Sequence, residues 1–211
     1  MTGFFEHVAA EMQYVVYVPK GVQEPMPAIL FLHGMGESGS DGLKQVVQGI
    51  GSAILWDRKD FPFVVIFPQK PDAQKLWPAY KDQLDAILKK VEKDYKIDPH
   101  KRYITGLSQG GNGTFVLAKK LAWQFAAAAP ICGWCDPEQA AKDFADMPVW
   151  AFHGDADQAV NVSGSVNAVD AIKKAGGNAK LTIYPGVGHN SWDKAYREEP
   201  LGEWFLSHSH D

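Results

Sequence analysis

Gly106-Leu107-Ser108-Gln109-Gly110 is the stretch of sequence that decides the fold. Residues 102–105 before it are β-branched or aromatic and predict a buried strand, whereas residues 114–121 after it have the apolar spacing of a helix. The serine therefore stands on a sharp turn between strand and helix, where backbone approaches backbone and a Cβ at Gly106 or Gly110 would clash. A flexible glycine-rich loop would carry the same letters, but this context favours the nucleophile elbow G-x-S-x-G.

Strand and helix patterns alternate along the rest of the chain. Strand patterns occupy residues 14–18, 28–32, 63–67, 125–131, 147–152 and 180–184, and helical patterns occupy residues 43–55, 82–95 and 166–175. Several of the strands are almost wholly apolar, which indicates burial on both faces. The alternation predicts an α/β fold with a doubly wound, mostly parallel sheet and right-handed crossovers, in which ligands bind at the carboxyl ends of the strands.

Composition excludes several classes of protein. The 211 residues are 45% hydrophobic and 22% charged with a net charge of -4, which is typical of a globular protein without a polybasic surface. We therefore expect a single domain over residues 1–211 that binds a small molecule and neither nucleic acid nor membrane. The N-terminal residues lack a signal pattern, which predicts a cytoplasmic protein, or a secreted one if a signal peptide was removed. The oligomeric state stays open.

Three residues that follow predicted strands could form a catalytic triad. Ser108, Asp157 and His189 occur in this order, and parallel strands would bring their loops to one edge of the sheet. A serine hydroxyl is a weak nucleophile until a histidine takes its proton, and a carboxylate then stabilises the charged imidazole. Backbone amides of Gln109 after the elbow and of Met35 after the second strand are candidates for an oxyanion hole.

Four motifs together resemble the α/β-hydrolase superfamily, in particular its serine carboxylesterase, phospholipase and dienelactone-hydrolase-like group. They are His33-Gly34-Met35-Gly36, residues 106–111, residues 154–160 with the pattern G-x-x-D-x-x-V, and Gly188-His189-Asn190-Ser191-Trp192. The resemblance implies hydrolysis of carboxylic esters or thioesters without a cofactor. It also implies Ser108 as nucleophile, Asp157 as acid, His189 as base, and Met35 and Gln109 as oxyanion donors. Dienelactone hydrolases proper have a cysteine at the elbow, so a dienelactone substrate is not expected here.

The interval where many relatives insert a lid is short in this chain. Only residues 132–147 separate the strand after the elbow helix from the strand that precedes residues 154–160, here called the acid loop. We therefore expect no cap domain and an open cleft. Such a cleft suits short-acyl esters, or esters that project from a larger alcohol, such as a polysaccharide. Trp77, Trp134 and Trp192 lie on predicted loops and could form an apolar wall for an acyl or aromatic-acid group, although each could equally be a packing residue.

Other signals are weaker. Cys132 and Cys135 have C-x-x-C spacing, but Asp136-Pro137 begins a helix only after the second cysteine, which argues against a redox site and leaves a structural disulfide possible. A metal site is not predicted, because no pair of histidines lies near the cysteines. His33 and His153 are interpreted as residues that hold turns at strand ends.

Two alternative functions remain open. A serine peptidase of the prolyl-oligopeptidase type shares this kind of catalytic domain, although such peptidases usually carry an added domain. A non-catalytic homologue would be a binding module. Within the acid loop, we expect Asp155 to bind local backbone amides and Asp157, which fits G-x-x-D-x-x-V, to act as the acid.

Overall fold

The computed structural model describes residues 3–57 and 61–210, and an eight-stranded sheet forms its centre. In chain order the strands are Gly3–Val8 (β1), Tyr14–Pro19 (β2), Met26–Leu32 (β3), Val64–Pro68 (β4), Ile97–Leu107 (β5), Ala127–Ile131 (β6), Val149–Gly154 (β7) and Ala179–Tyr184 (β8). Their spatial order is β1-β2-β4-β3-β5-β6-β7-β8. The first two pairings, β1 with β2 and β2 with β4, are antiparallel, and all the later ones are parallel.

Helices cover both faces of the sheet. They are Gly49–Asp57 (α1), Lys81–Asp94 (α2), Gln109–Leu117 (α3), Pro137–Asp143 (α4), Ser163–Lys174 (α5), Trp192–Arg197 (α6) and Leu201–Leu206 (α7). Apolar residues of α2, α3, α4 and α5 belong to one buried cluster, and those of α1, α6 and α7 belong to the other. Alternate residues of β3 contribute to opposite clusters, because successive strand side chains point to opposite faces. The prediction of a doubly wound, mostly parallel sheet is therefore confirmed.

The topology creates a crevice between β3 and β5. The chain leaves β3 toward β4 on one side and then crosses to β5 on the other side, so strand order reverses between these two strands. Loops at the carboxyl ends of β3 and β5 diverge at such a switch point and leave room for a ligand. His33 follows β3 and Ser108 follows β5, which places both at this crevice.

Two details of the fold bear on the sequence predictions. Strand β1 was not predicted, because its residues are half-buried or exposed at the sheet edge and form no apolar run. The interval between β6 and β7 contains α4, whose N-cap Asp136 accepts a hydrogen bond from the Glu138 amide at 3.0 Å, as the sequence predicted.

Within residues 3–57 and 61–210, no helix is long and apolar enough to cross a membrane.

Candidate active site

Ser108 occupies a strained turn at the end of β5. Its φ of 55° and ψ of -116° lie in a region that non-glycine residues rarely adopt. The flanking glycines permit this turn: a Cβ on Gly106 would lie 2.5 Å from the Leu32 carbonyl oxygen, and one on Gly110 would lie 1.8 Å from it. The two glycines thus let the elbow pack directly against the end of β3, as the sequence predicted.

The structure brings Ser108, His189 and Asp157 together, although they lie on three different loops. His189 Nε2 is 2.9 Å from Ser108 Oγ, and His189 Nδ1 is 2.7 Å from Asp157 Oδ2. The second nitrogen faces a carboxylate, which can only accept, so Nδ1 carries the proton and Nε2 is free to accept the serine hydroxyl proton. This arrangement gives Ser108 an adjacent base that is itself oriented by a third group.

The loop after β7 fixes the carboxylate of Asp157. Its Oδ1 accepts hydrogen bonds from the backbone amides of Ala159 at 2.8 Å and Val160 at 2.9 Å. Burial raises the pKa of Asp157, but hydrogen bonds from the His189 ring and from these two amides more than offset that effect and leave the pKa below its usual value. The side chain is therefore ionised at neutral pH and faces His189 in one orientation.

Asp155 of the same loop plays a different part. Its Oδ1 accepts a hydrogen bond from the Gly186 amide at 2.7 Å, and the side chain does not contact His189. Gly186 has a φ of 71° and lies in the turn that leads from β8 to His189. Asp155 thus binds a backbone amide, as predicted, but the amide is not local: it belongs to the loop that leads to His189, 31 residues later in the chain.

Met35 and Gln109 both line the cleft at Ser108. Gln109 is the first residue of α3, and the first amides of a helix have no intrahelical acceptor. Among the described residues, no acceptor is hydrogen-bonded to the backbone N–H of Met35 or Gln109. Two uncommitted amides beside the serine oxygen are the groups that an oxyanion would require.

Residues 33–38, here called the β3 loop, are held by a buried polar network. His33 Nε2 accepts a hydrogen bond from the Lys70 amide at 3.1 Å, while Nδ1 lies 2.6 Å from the Gly34 carbonyl oxygen and therefore carries the proton. Burial lowers the pKa of His33 to about 3, so the ring stays neutral. Lys70 Nζ donates to Ser38 Oγ at 2.9 Å, which anchors the far end of the loop.

Trp77 belongs to this network and not to the cleft. Its side chain is fully buried, and Nε1 donates to the His33 carbonyl oxygen at 2.9 Å. The two rings also meet edge to face, with centroids 4.8 Å apart. The expectation that Trp77 forms a wall of the cleft therefore does not hold, because a 3₁₀ turn before α2 points the indole into the core beneath the β3 loop.

Trp77→Phe is expected to loosen the β3 loop. The change leaves the His33 carbonyl unpaired in the core, which costs about 1 to 3 kcal/mol in the free energy of unfolding, and turnover should fall with it. Trp123→Phe is the matched control, because Trp123 is equally buried and its Nε1 has no partner among the described residues. Urea unfolding of both variants measures the difference, and equal losses would contradict the assigned role of the Trp77 hydrogen bond.

The cleft at Ser108 has a volume of about 350 Å³. Its lining includes Ser108, His189, Met35 and Gln109 together with two tryptophans. Trp134 follows β6, and Trp192 opens α6 with its ring edge-on to the His189 ring at 5.3 Å between centroids. Both side chains are half-buried, and Val160 and Leu107 add further apolar surface. A cleft of similar volume, about 360 Å³, lies between Phe63 and α7, but it contains neither serine nor histidine.

Two buried residues beside the site were not assigned to it from the sequence. His153 is fully buried and its Nε2 lies 3.2 Å from Asp157 Oδ2, a contact that the spacing of four residues could have suggested. Cys132 is a free thiol whose Sγ accepts from the Ser108 amide at 3.2 Å, and burial raises its pKa to about 12. Cys135 is free as well, so the open question of a disulfide is answered: the two cysteines are not bonded.

One group of side chains within residues 3–57 and 61–210 has the donor atoms to hold a metal ion. It consists of Cys132, Asp157 and His189, whose possible ligand atoms all lie within 4.8 Å of one another. The 2.7 Å separation of His189 Nδ1 and Asp157 Oδ2 is that of a hydrogen bond and leaves no space for an ion between them. A protonated thiol must also lose its proton before it binds a metal. The geometry as it stands is that of a proton-sharing pair.

Comparison with known proteins now decides the family. The model of the dienelactone hydrolase family matches residues 68–199, which is more than half of the chain and includes the elbow, the acid loop and His189. The chain belongs to the dienelactone hydrolase family. The family match and the fold confirm the resemblance to the α/β-hydrolases, and within the described residues the interval between β6 and β7 carries α4 and no cap domain.

Several proteins that this chain resembles are named as esterases or thioesterases. A bifunctional acetylxylan esterase/xylanase of Neocallimastix patriciarum is 28% identical over 69% of this chain, which spans only 21% of that protein. Acyl-protein thioesterase 1 of Candida albicans is 23% identical over 83% of this chain and 90% of its own length. A thermostable esterase of known structure superposes with a TM-score of 0.84 at 28% identity and covers 99% of this chain and 63% of its own. The chain thus matches only part of two of these proteins, 21% of the acetylxylan esterase/xylanase and 63% of the thermostable esterase.

Proposed function

We propose that this protein is a serine esterase that hydrolyses carboxylic esters of short-chain acids or aromatic acids through an acyl-enzyme. One observation carries the proposal: Ser108 Oγ, both ring nitrogens of His189 and Asp157 Oδ2 form a continuous chain with steps of 2.9 and 2.7 Å. The Nε2 atom thereby faces the hydroxyl in the basic form that proton removal requires. Ser108 is the nucleophile, His189 the base and Asp157 the group that orients it.

The first half of the reaction transfers the acyl group to the enzyme. Ser108 Oγ attacks the ester carbonyl carbon while its proton moves to His189 Nε2, and the imidazolium is stabilised by ionised Asp157. The carbonyl electron pair moves onto oxygen, and the N–H groups of Met35 and Gln109 stabilise this oxyanion by donating hydrogen bonds to it. Collapse of this intermediate breaks the bond to the alcohol oxygen, and the alcohol leaves with the proton from His189.

The second half releases the acid. A water molecule attacks the acyl carbon as His189 Nε2 takes its proton, and the two amides again hold the oxyanion. Collapse breaks the bond to Ser108 Oγ, which regains its proton from His189. The products are one carboxylic acid and one alcohol, and every group of the enzyme returns to its starting protonation state. No step in this sequence uses a cofactor.

The cleft favours small or flat acyl groups. Trp134 and Trp192 offer half-buried aromatic faces beside Ser108 that suit an aromatic acid or a short aliphatic chain. Between β6 and β7 the chain supplies only α4, so the alcohol side of the ester can extend into solvent. An ester on a polysaccharide or another large alcohol therefore fits the same cleft, within a single domain.

A covalent probe tests the proposed nucleophile. A fluorophosphonate reacts with a serine only when a neighbouring base activates it, so we expect stoichiometric labelling of Ser108, located by mass spectrometry of the peptide. Ester hydrolysis should be lost in proportion to labelling and should be unaffected by EDTA. Labelling at another serine, or hydrolysis that persists in fully labelled protein, would refute the proposal. No reaction at all would favour the non-catalytic homologue.

Acyl-chain length should set the rate. Hydrolysis of p-nitrophenyl esters is expected to fall once the acyl chain exceeds about eight carbons, because the cleft near Ser108 is not an enclosed tunnel. Methyl ferulate tests the aromatic-acid subsite in the same assay. A jump in rate when the substrate forms micelles, or a preference for the longest chains, would contradict the open cleft.

A further inference from the structure

His153 lies at the carboxyl end of β7 with no exposed surface, and its ring bridges the acid loop to α5. Its Nε2 is 3.0 Å from the Val160 carbonyl oxygen and 3.2 Å from Asp157 Oδ2. On the other side of the ring, Nδ1 is 2.8 Å from Ser165 Oγ. The sequence suggested only a turn residue here, yet these contacts connect the ring directly to the carboxylate that binds His189.

The hydrogen-bond partners fix the tautomer of His153. A carbonyl oxygen and a carboxylate oxygen both face Nε2, and neither can donate, so Nε2 must carry a proton. Burial lowers the pKa of His153 and keeps the ring neutral, so Nδ1 can only accept a hydrogen bond. The Ser165 hydroxyl has one proton and two acceptors, Nδ1 at 2.8 Å and the Gly133 carbonyl oxygen at 3.1 Å, and in this tautomer it turns the proton to the nearer one. The buried ring is then fully satisfied by one donor and two acceptors.

We propose that His153 is a positioning residue that donates a hydrogen bond to Asp157 and so orients the carboxylate toward His189. Asp157 receives hydrogen bonds from two backbone amides at Oδ1 and from the His189 ring at Oδ2. His153 Nε2 approaches Oδ2 from a second direction, and its single N–H is shared between this oxygen at 3.2 Å and the Val160 carbonyl oxygen at 3.0 Å. Because the two backbone amides bind only Oδ1, the His153 contact at Oδ2 limits the rotation of the carboxylate that would lengthen its bond to His189.

The contact also has an electrostatic consequence. Each donor to Asp157 neutralises part of its charge, so removal of one donor strengthens the attraction between the carboxylate and protonated His189. The titratable groups around this pair include His153, the Cys132 thiol, which burial keeps protonated, and Glu37, which lines the same cleft as His189 and whose pKa is raised by burial. Without the His153 donor, the titration midpoint of His189 should move to higher pH. A loop that merely collapsed would weaken the Asp157 contact and move the midpoint to lower pH.

Histidine NMR titrations of ¹⁵N-labelled protein test the proposal without any substrate. His153→Leu should raise the His189 midpoint by about half a unit to one unit, and turnover should fall about tenfold or more as the carboxylate is misplaced. His153→Gln places an amide N–H near the original Nε2 and should restore most of both values. Ser165→Ala removes the Nδ1 partner and the contact of Ser165 Oγ with the Gly133 carbonyl oxygen but leaves both Nε2 contacts, so it should lower the melting temperature and leave the His189 midpoint unchanged.

The tautomer of His153 in the wild-type protein is a second test of the proposal. In the wild-type protein the ¹⁵N shifts of His153 should report the Nε2–H tautomer, and a Nδ1–H tautomer would overturn the proposal even if His153→Leu failed to fold. An unchanged or lowered His189 midpoint in folded His153→Leu would overturn it as well. The inference rests on the proposed function only for the loss of turnover. Wild-type protein without esterase activity would refute that function, while the NMR result would still decide the role of His153.

Discussion

Ser108→Ala is expected to reduce ester turnover by about 10⁶-fold, because the three residues of such a site act as a unit and His189 has no other nucleophile to activate. The substitution removes one oxygen at the mouth of the cleft. The strained backbone at Ser108 is shared with many nucleophile elbows and is held by Gly106 and Gly110, so the variant should fold and bind substrate. The measurement is the steady-state rate on a short p-nitrophenyl ester, read against the rate of the buffer alone.

A control separates this loss from any general effect of the substitution. Ser207→Ala changes an exposed serine after α7, far along the chain from the elbow, and should leave the rate at the wild-type value. Circular dichroism and the melting temperature of Ser108→Ala should match the wild type. If purified Ser108→Ala keeps more than a few per cent of the activity, Ser108 is not the nucleophile and the reaction is performed elsewhere or by another group.

The elbow and its partners could be predicted because each is determined locally. Gly106 and Gly110 follow from the close approach to β3, and the order of Ser108, Asp157 and His189 follows from loops at the ends of parallel strands. The sheet was predictable for a similar reason, since strands buried on two faces are almost wholly apolar. Turn glycines and apolar strands can both be recognised from a few residues that are neighbours in the sequence.

Trp77 was misassigned, and the contact of His153 with Asp157 was missed, because both depend on distant parts of the chain. A tryptophan in a Pro-containing segment reads as a loop residue, but the Trp77 indole meets the carbonyl of His33, which lies 44 residues earlier. His153 reads as the end of a strand, and its partners Ser165 and Asp157 become neighbours only when α5 packs on β7. Strand β1 escaped notice because an edge strand needs an apolar pattern on one face at most. Tertiary packing decides all three cases.

Trp77 and His153 each support one of the two loops that carry the proposed catalytic groups. Trp77 donates to the carbonyl oxygen of His33 at the start of the β3 loop, which also carries the Met35 amide. His153 contacts Asp157 of the acid loop. Neither contacts the cleft, yet each fixes a group that must lie within a fraction of an ångström of its reaction partner. The groups proposed to perform chemistry thus stand on short loops whose geometry is set by fully buried aromatic rings beneath them.

Asp157→Asn is expected to lower turnover by roughly 10³ to 10⁴-fold with a modest loss of stability, because the new amide nitrogen also faces the His153 N–H, which keeps the Val160 carbonyl oxygen as an acceptor. The amide oxygen can still accept from Ala159 and Val160, so the loop keeps its shape. The amide nitrogen would then face His189 Nδ1 as a donor and force the ring proton onto Nε2. In that tautomer His189 has no lone pair toward Ser108, and it cannot take the hydroxyl proton.

Asp155→Asn makes the same chemical change two residues away and is the matched control. Its oxygen can still accept from the Gly186 amide at the position of Oδ1, and only the charge of this exposed hydrogen bond is lost. We therefore expect a small decrease in melting temperature and turnover close to that of the wild type. Rates and melting temperatures of the two variants, measured side by side, decide between the aspartates. The assignment of the acid is wrong if Asp155→Asn is folded and nearly inactive while Asp157→Asn remains active, because the carboxylate that orients His189 would then be the one that binds Gly186.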